Sequence, residues 1–132
     1  MTGVQTCALP ISITHNASIL AQLAAPAELC AVVKAHGYGH GGPAVARAAR
    51  AGGATRLAVA LVDEGVELRE HGVTAPVLLL SECGLDAVDT ALAYGLTPTL
   101  YSVEGIAAVA AGAKLLMIRH KISDDETQSF FK

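Results

Sequence analysis

The sequence predicts an α/β chain of about four βα units with parallel strands. Short apolar runs begin roughly 20–30 residues apart, each followed by a stretch with helical spacing, an alternation that requires crossovers and parallel pairing. The runs are near-continuously apolar, as in strands buried on both faces. The composition is 52% hydrophobic but only 4% aromatic, and its abundant alanine suits close-packed helices against Val/Leu strands. Two architectures satisfy these patterns, a small open sheet and half of a (β/α)8 barrel. At 132 residues the chain is one domain's worth and too short for a complete barrel of about 250.

The elements follow in order. Residues 1–12 show neither a helical nor a strand period, and the string T-G-V-Q-T-C-A-L-P-I-S resembles the translation of a sequencing adapter. They are expected to be non-native, with no role for Cys7. From Thr14, the apolar positions Ile19, Leu20 and Leu23 mark a short helix that Pro26 ends. Leu29–Lys34 reads as a buried strand, and a glycine-rich loop of Gly37, Gly39, Gly41 and Gly42 follows. Pro43 suits the first turn of a helix that Gly52 and Gly53 stop near Ala51. The unit then recurs: strand Leu57–Ala60, helix Asp63–His71; strand Val77–Leu80, helix Asp86–Tyr94; strand Thr97–Tyr101, and a fourth helix capped by Ser102 with Ile106, Val109, Ala110 and Ala113 on one face. Lys114–His120 has the look of a further strand, but the polar stretch that follows reads as a frayed tail, so 114–132 is expected to diverge from the domain at 13–113.

Composition excludes several function classes. The net charge is -3 and Lys and Arg do not cluster, so a nucleic-acid partner has no electrostatic footprint. No apolar stretch approaches the 18 residues or so of a membrane span, and no basic-then-apolar leader opens the chain. Three widely spaced cysteines make no disulfide framework, which fits a cytoplasmic setting.

The residues that carry chemistry gather in Ala31–Gly41, A-V-V-K-A-H-G-Y-G-H-G. Functional groups of parallel α/β folds collect at the C-terminal ends of strands, and Lys34 sits at one. Desolvation there favours the neutral, nucleophilic amine, suited to a Schiff base; the plainer alternative is a lysine that snorkels to the rim. Tyr38 stands among glycines whose backbone N–H groups can approach an anion closely, its hydroxyl a further donor, or it is an ordinary loop tyrosine. His36 and His40 lack carboxylate or cysteine partners at metal-binding spacing, so no metal is expected. His15, His71 and His120 read as surface residues, Cys30 as a buried inert thiol, and Cys83 as a loop residue at a strand exit. Asp63, Glu64, Glu67 and Glu70, with Arg69, read as the solvated face of a helix.

Ala31–Gly41 resembles the pyridoxal-phosphate attachment motif of alanine racemases, A-V-V-K-A-(D/N)-(A/G)-Y-G-H-G, at ten of its eleven positions; His36 replaces the family's Asp or Asn. The resemblance continues through Arg56–Arg69, Ala75–Glu82 and Gly95–Ile106 and covers roughly Ile13 to Ala113. It implies a partial (β/α)8 TIM-type barrel from a homodimeric, pyridoxal 5'-phosphate-dependent isomerase that interconverts L- and D-alanine for peptidoglycan. It further implies that Lys34 is the Schiff-base lysine and one of two acid/base groups, that Tyr38 hydrogen-bonds the cofactor phosphate, and that Leu80 packs near the cofactor. The family's second base, a tyrosine from the partner subunit's C-terminal domain, has no counterpart here. The chain is therefore expected to be a racemase fragment with little activity alone. The alternative is a non-catalytic, single-barrel pyridoxal-phosphate-binding protein, whose lysine motif lacks the Y-G-H-G run.

Overall fold

The computed structural model describes residues 2–129. Helix α1 is Thr2–Ala24, strand β1 Cys30–Val32, helix α2 Gly42–Ala51, strand β2 Arg56–Val59, helix α3 Val62–Glu70 and strand β3 Val77–Leu79. A 3-10 turn at Leu85–Ala87 leads into helix α4, Val88–Ala93, and helix α5 is Val103–Ser129. The sheet order is β1–β2–β3, all parallel, with Ala31 opposite Leu57 and Ala58 opposite Leu78.

The expected fourth strand is reduced to a single parallel bridge between Thr97 and Leu78. The Thr97 N–H donates to Val77 O and the Leu79 N–H to Thr97 O, both at 2.8 Å. Two residues on, the Thr99 hydroxyl donates to Leu79 O at 2.6 Å, in place of a further backbone bond. Pro98 between them has no N–H, which suits an edge position.

The strand residues divide by parity, as a period of two requires. Val33, Leu57, Val59, Val77 and Leu79 form one buried cluster with Ala46 of α2, Val62 and Leu68 of α3, and Ala91 of α4. All three helices thus cover the same face of the sheet. The even positions look the other way: Ala58 is fully buried, but Val32 is 38% and Leu80 42% exposed. Burial on both faces, expected from the apolar runs, therefore holds only for the central strand β2. A helix layer confined to one side is the arrangement of a closed βα barrel, whose right-handed crossovers all return over the outside. A whole doubly wound open sheet carries helices on both faces, although either of its halves alone has them on one.

Three expectations are corrected. Residues 2–12, read as aperiodic, continue α1 as helix with Pro10 inside it. The Thr14 hydroxyl donates to Ala48 O of α2 at 3.0 Å, and Ala17 is buried, whereas Ile11 is exposed. Residues 114–120 are helix, not strand, because no Gly or Pro follows Gly112 to stop α5. Cys30, read as buried, is exposed on the edge strand β1.

Candidate functional site

The chain leaves β1 through Val33 and enters a turn that winds the wrong way. Ala35 (φ 51, ψ 51), His36 (φ 53, ψ 43) and Gly37 (φ 63, ψ 41) are left-handed, and Tyr38 (φ 56) and Gly39 (φ 85) continue the positive φ. Lys34 is the first residue of this turn, Lys34–Tyr38. Each non-glycine residue held there costs about 1–2 kcal/mol, and such strain persists only where the surroundings over-determine it. Internal bonds supply part of that: Gly37 N–H to Val33 O at 3.0 Å, Gly39 N–H to Ala35 O at 2.9 Å, His40 N–H to Gly37 O at 3.2 Å and Gly41 N–H to His36 O at 2.7 Å. These four amides are therefore engaged within the turn. The Tyr38 side chain is 58% exposed.

The rest comes from α3. Glu64 accepts the Ala35 N–H on Oε1 at 2.6 Å, and the Ala60 and Leu61 N–H groups on Oε2 at 2.8 and 3.0 Å. One carboxylate thus joins the exit of β1 to the exit of β2 and also closes the N-terminal turn of α3. Partial burial works against its charge, but the three backbone donors, aided by nearby His36, outweigh burial and hold its pKa below the usual 4.5. The expected solvated face therefore does not describe Glu64. Its bonds to Ala60 and Leu61 are local, but nothing in the acidic run announces the bond to Ala35, which lies one strand away.

His36, the departure from the family motif, keeps a left-handed position that Asn, Asp and His tolerate better than other residues with a Cβ. Its side chain is 75% exposed, and Nδ1 lies 3.5 Å from Oε2 of Glu67, so the ring leans toward α3 at the surface. Leu80 sits at the exit of β3, its N–H bonded to Val59 O at 2.9 Å. With β2 between them, the exits of β1 and β3 are about 10 Å apart. Lys34, Tyr38 and Leu80 thus share the C-terminal edge of the sheet, Lys34 and Tyr38 in one turn and Leu80 two strands away. A cleft of about 280 Å³ opens at the same edge between Ala60–Asp63 and Ser81–Gly84; Cys83 lines it and Lys34 does not. Among the described residues no group of His, Cys, Asp and Glu is arranged to hold a metal ion, and no helix is long and apolar enough to cross a membrane.

The donor set suits a phosphorylated aldehyde: a primary amine fixed at a strand end, and a phenol four residues on in the same turn. Of the lysines whose side chains are described, Lys34 and Lys114, only Lys34 stands at a strand exit.

Comparison with known proteins agrees with this geometry. Residues 11–123 match the family model described as alanine racemase, N-terminal domain. The alanine racemase of Carboxydothermus hydrogenoformans is 48% identical over 93 residues, covering 70% of this chain and 25% of that protein. The crystal structure of alanine racemase from E. faecalis superposes with a TM-score of 0.72 at 42% identity, over 76% of this chain and 28% of the other. A histidine racemase from Leuconostoc mesenteroides superposes with a TM-score of 0.69 at 29% identity, over 76% and 27%. The chain spans about a quarter of the length of the curated relatives it matches. With the one-sided helix layer and the lysine turn at the exit of β1, these matches mean that the chain belongs to the alanine racemase N-terminal domain family.

Proposed function

We propose that this chain is the lysine-bearing part of a pyridoxal-phosphate-dependent alanine racemase barrel, the whole enzyme working as a homodimer. The observation that carries the reading is the placement of Lys34 as first residue of a strained, externally braced turn at a strand's C-terminal end. Bound pyridoxal phosphate supplies an electron sink that acidifies the Cα–H bond of an amino acid. Lys34 Nζ would hold its aldehyde carbon and, once the substrate's amine had taken that place and freed it, would move the proton on one face of Cα. The Tyr38 hydroxyl would donate to the phosphate, and Leu80 would wall the cofactor from the exit of β3. Racemisation needs a base on each face, and by the family resemblance the second is a tyrosine of the partner subunit's C-terminal domain. A histidine racemase shares this fold, so preference for alanine is taken from the curated relatives and not from these residues.

The test is to incubate the purified chain with pyridoxal phosphate, reduce with borohydride and map the peptides. The expected label lies on Lys34 and is absent from Lys34→Ala. A label spread evenly over Lys34, Lys114, Lys121 and Lys132 overturns the reading. Little or no turnover of L-alanine is expected from the chain alone, at least about 10²–10⁴-fold below that of a full-length racemase from the missing second acid/base group by itself; turnover near the full-length value, lost in Lys34→Ala, would remove the need for a second base. We further propose that the native domain starts near Ile13 and that the residues from 114 on stand apart from it. Deleting residues 1–12 is expected to leave the thermal midpoint within about 2 °C, because the deletion keeps the Thr14 bond to Ala48 and buried Ala17; a larger drop would make those residues part of the fold.

A further inference from the structure

We infer that Glu64 is a positioning residue for Lys34, acting through the backbone of the turn that carries it; the inference rests on the reading of Lys34 just given. The turn has three non-glycine residues at positive φ, Ala35, His36 and Tyr38, so it does not hold itself. Its first amide after the lysine, Ala35 N–H, has its acceptor outside the turn, on Glu64 Oε1 at 2.6 Å. The same carboxylate is anchored by Ala60 and Leu61, at the exit of β2, the strand directly paired with β1. Glu64 therefore fixes the peptide plane between Lys34 and Ala35 relative to the sheet, and with it the direction in which the lysine side chain leaves the backbone.

Carboxylate chemistry is needed here. Three N–H donors converge on two oxygens, and a carboxylate accepts on both. A glutamine offers one acceptor oxygen and turns its NH2 toward a donor, so Glu64→Gln must give up either the Ala35 arm or the Ala60/Leu61 arm. Glu64→Asp keeps the charge but is one methylene shorter and reaches only one arm. Glu67 is the control: it lies on the same helix and its carboxylate meets exposed His36, 3.5 Å away.

The experiment measures amide hydrogen exchange and the borohydride-trapped labelling rate on the full chain and on Glu64→Gln, Glu64→Asp, Glu64→Ala and Glu67→Gln, with a thermal melt of each. In Glu64→Gln and Glu64→Asp, exchange at Ala35 is expected to rise about tenfold and labelling of Lys34 to slow by a similar factor, the melts staying close to the parent's. Glu67→Gln should change neither. Unchanged Ala35 exchange, or unchanged Lys34 labelling, in a folded Glu64→Gln or Glu64→Ala overturns the inference, as does an equal effect in Glu67→Gln. If the parent chain takes no label at Lys34, the function reading has failed. Exchange at Ala35, which needs no cofactor, then decides alone whether Glu64 holds the turn.

Discussion

Arg69→Ala is expected to destabilise the chain by about 3 kcal/mol, a fall in thermal midpoint of about 10 °C for a domain of this size. The guanidinium of Arg69, on α3, donates to four backbone carbonyls: Nη1 to Val73 O at 2.7 Å and Ala75 O at 2.8 Å, Nε to Tyr94 O at 2.9 Å and Nη2 to Gly95 O at 3.1 Å. It ties the segment entering β3 to the loop that leaves α4. Partial burial lowers its pKa from the ordinary arginine value, yet a guanidinium remains charged in proteins, so all four bonds are charge-assisted. Truncation leaves the carbonyls of buried Val73 and Ala75 without their donor, and unmet buried acceptors account for most of the loss. Arg69→Lys should recover only a minor part, because one ammonium cannot span acceptors on two loops. Denaturant melts of both variants check this; a loss below about 1 kcal/mol in Arg69→Ala would show that water replaces the guanidinium.

Gly52→Ala is expected to cost about 2 kcal/mol or more. Gly52 follows α2 with φ -82 and ψ 0, a conformation open to any residue, so the glycine is required by space alone. A Cβ there would collide with the carbonyl oxygen of Thr14, and would lie 2.6 Å from Ala17 Cβ and 3.1 Å from Ser18 N. Backbone atoms of a docked helix cannot step aside as a flexible side chain can. The variant therefore either loses stability or releases α1 from α2. Circular dichroism melts, with hydrogen exchange over 14–24, separate the two outcomes. A variant as stable as the parent, with α1 still protected, would mean that α1 does not lie across the end of α2.

Much of the fold is legible in the sequence because period and punctuation agree. Leu57, Val59, Val77 and Leu79 fall in the apolar runs read as strands, although the sheet and not the runs decides which face each takes, and helices α2 and α3 stop at glycines that lie where the pattern stops. The boundaries that failed had no such agreement. Past Gly112 no breaker occurs, so apolar residues that also fit a strand continue as helix. Cys30 reads as core because it lies in an apolar run, and only the sheet order exposes it. At the candidate site, Lys34 is legible from its place after the strand. The handedness of the next turn is not, because the glycines announce flexibility but do not announce that Ala35, His36 and Tyr38 share the unusual φ. Glu64 is invisible for a different reason. Its function depends on two strand exits meeting, and a helix read by itself shows only acidic residues facing water.

The bond from Glu64 to Ala35 spans 29 positions of the chain, which has a consequence for the order of assembly. As the chain emerges from the ribosome, β1 and the lysine come first, but the brace that sets the lysine's peptide plane appears only with the second βα unit. Until α3 has docked, the turn after Lys34 carries its strain with no external acceptor and relaxes toward right-handed or extended backbone. The smallest piece able to hold the lysine in place is thus a pair of adjacent βα units, and under the proposed function any attachment of pyridoxal phosphate to a nascent chain should begin only once Glu64 has cleared the exit tunnel.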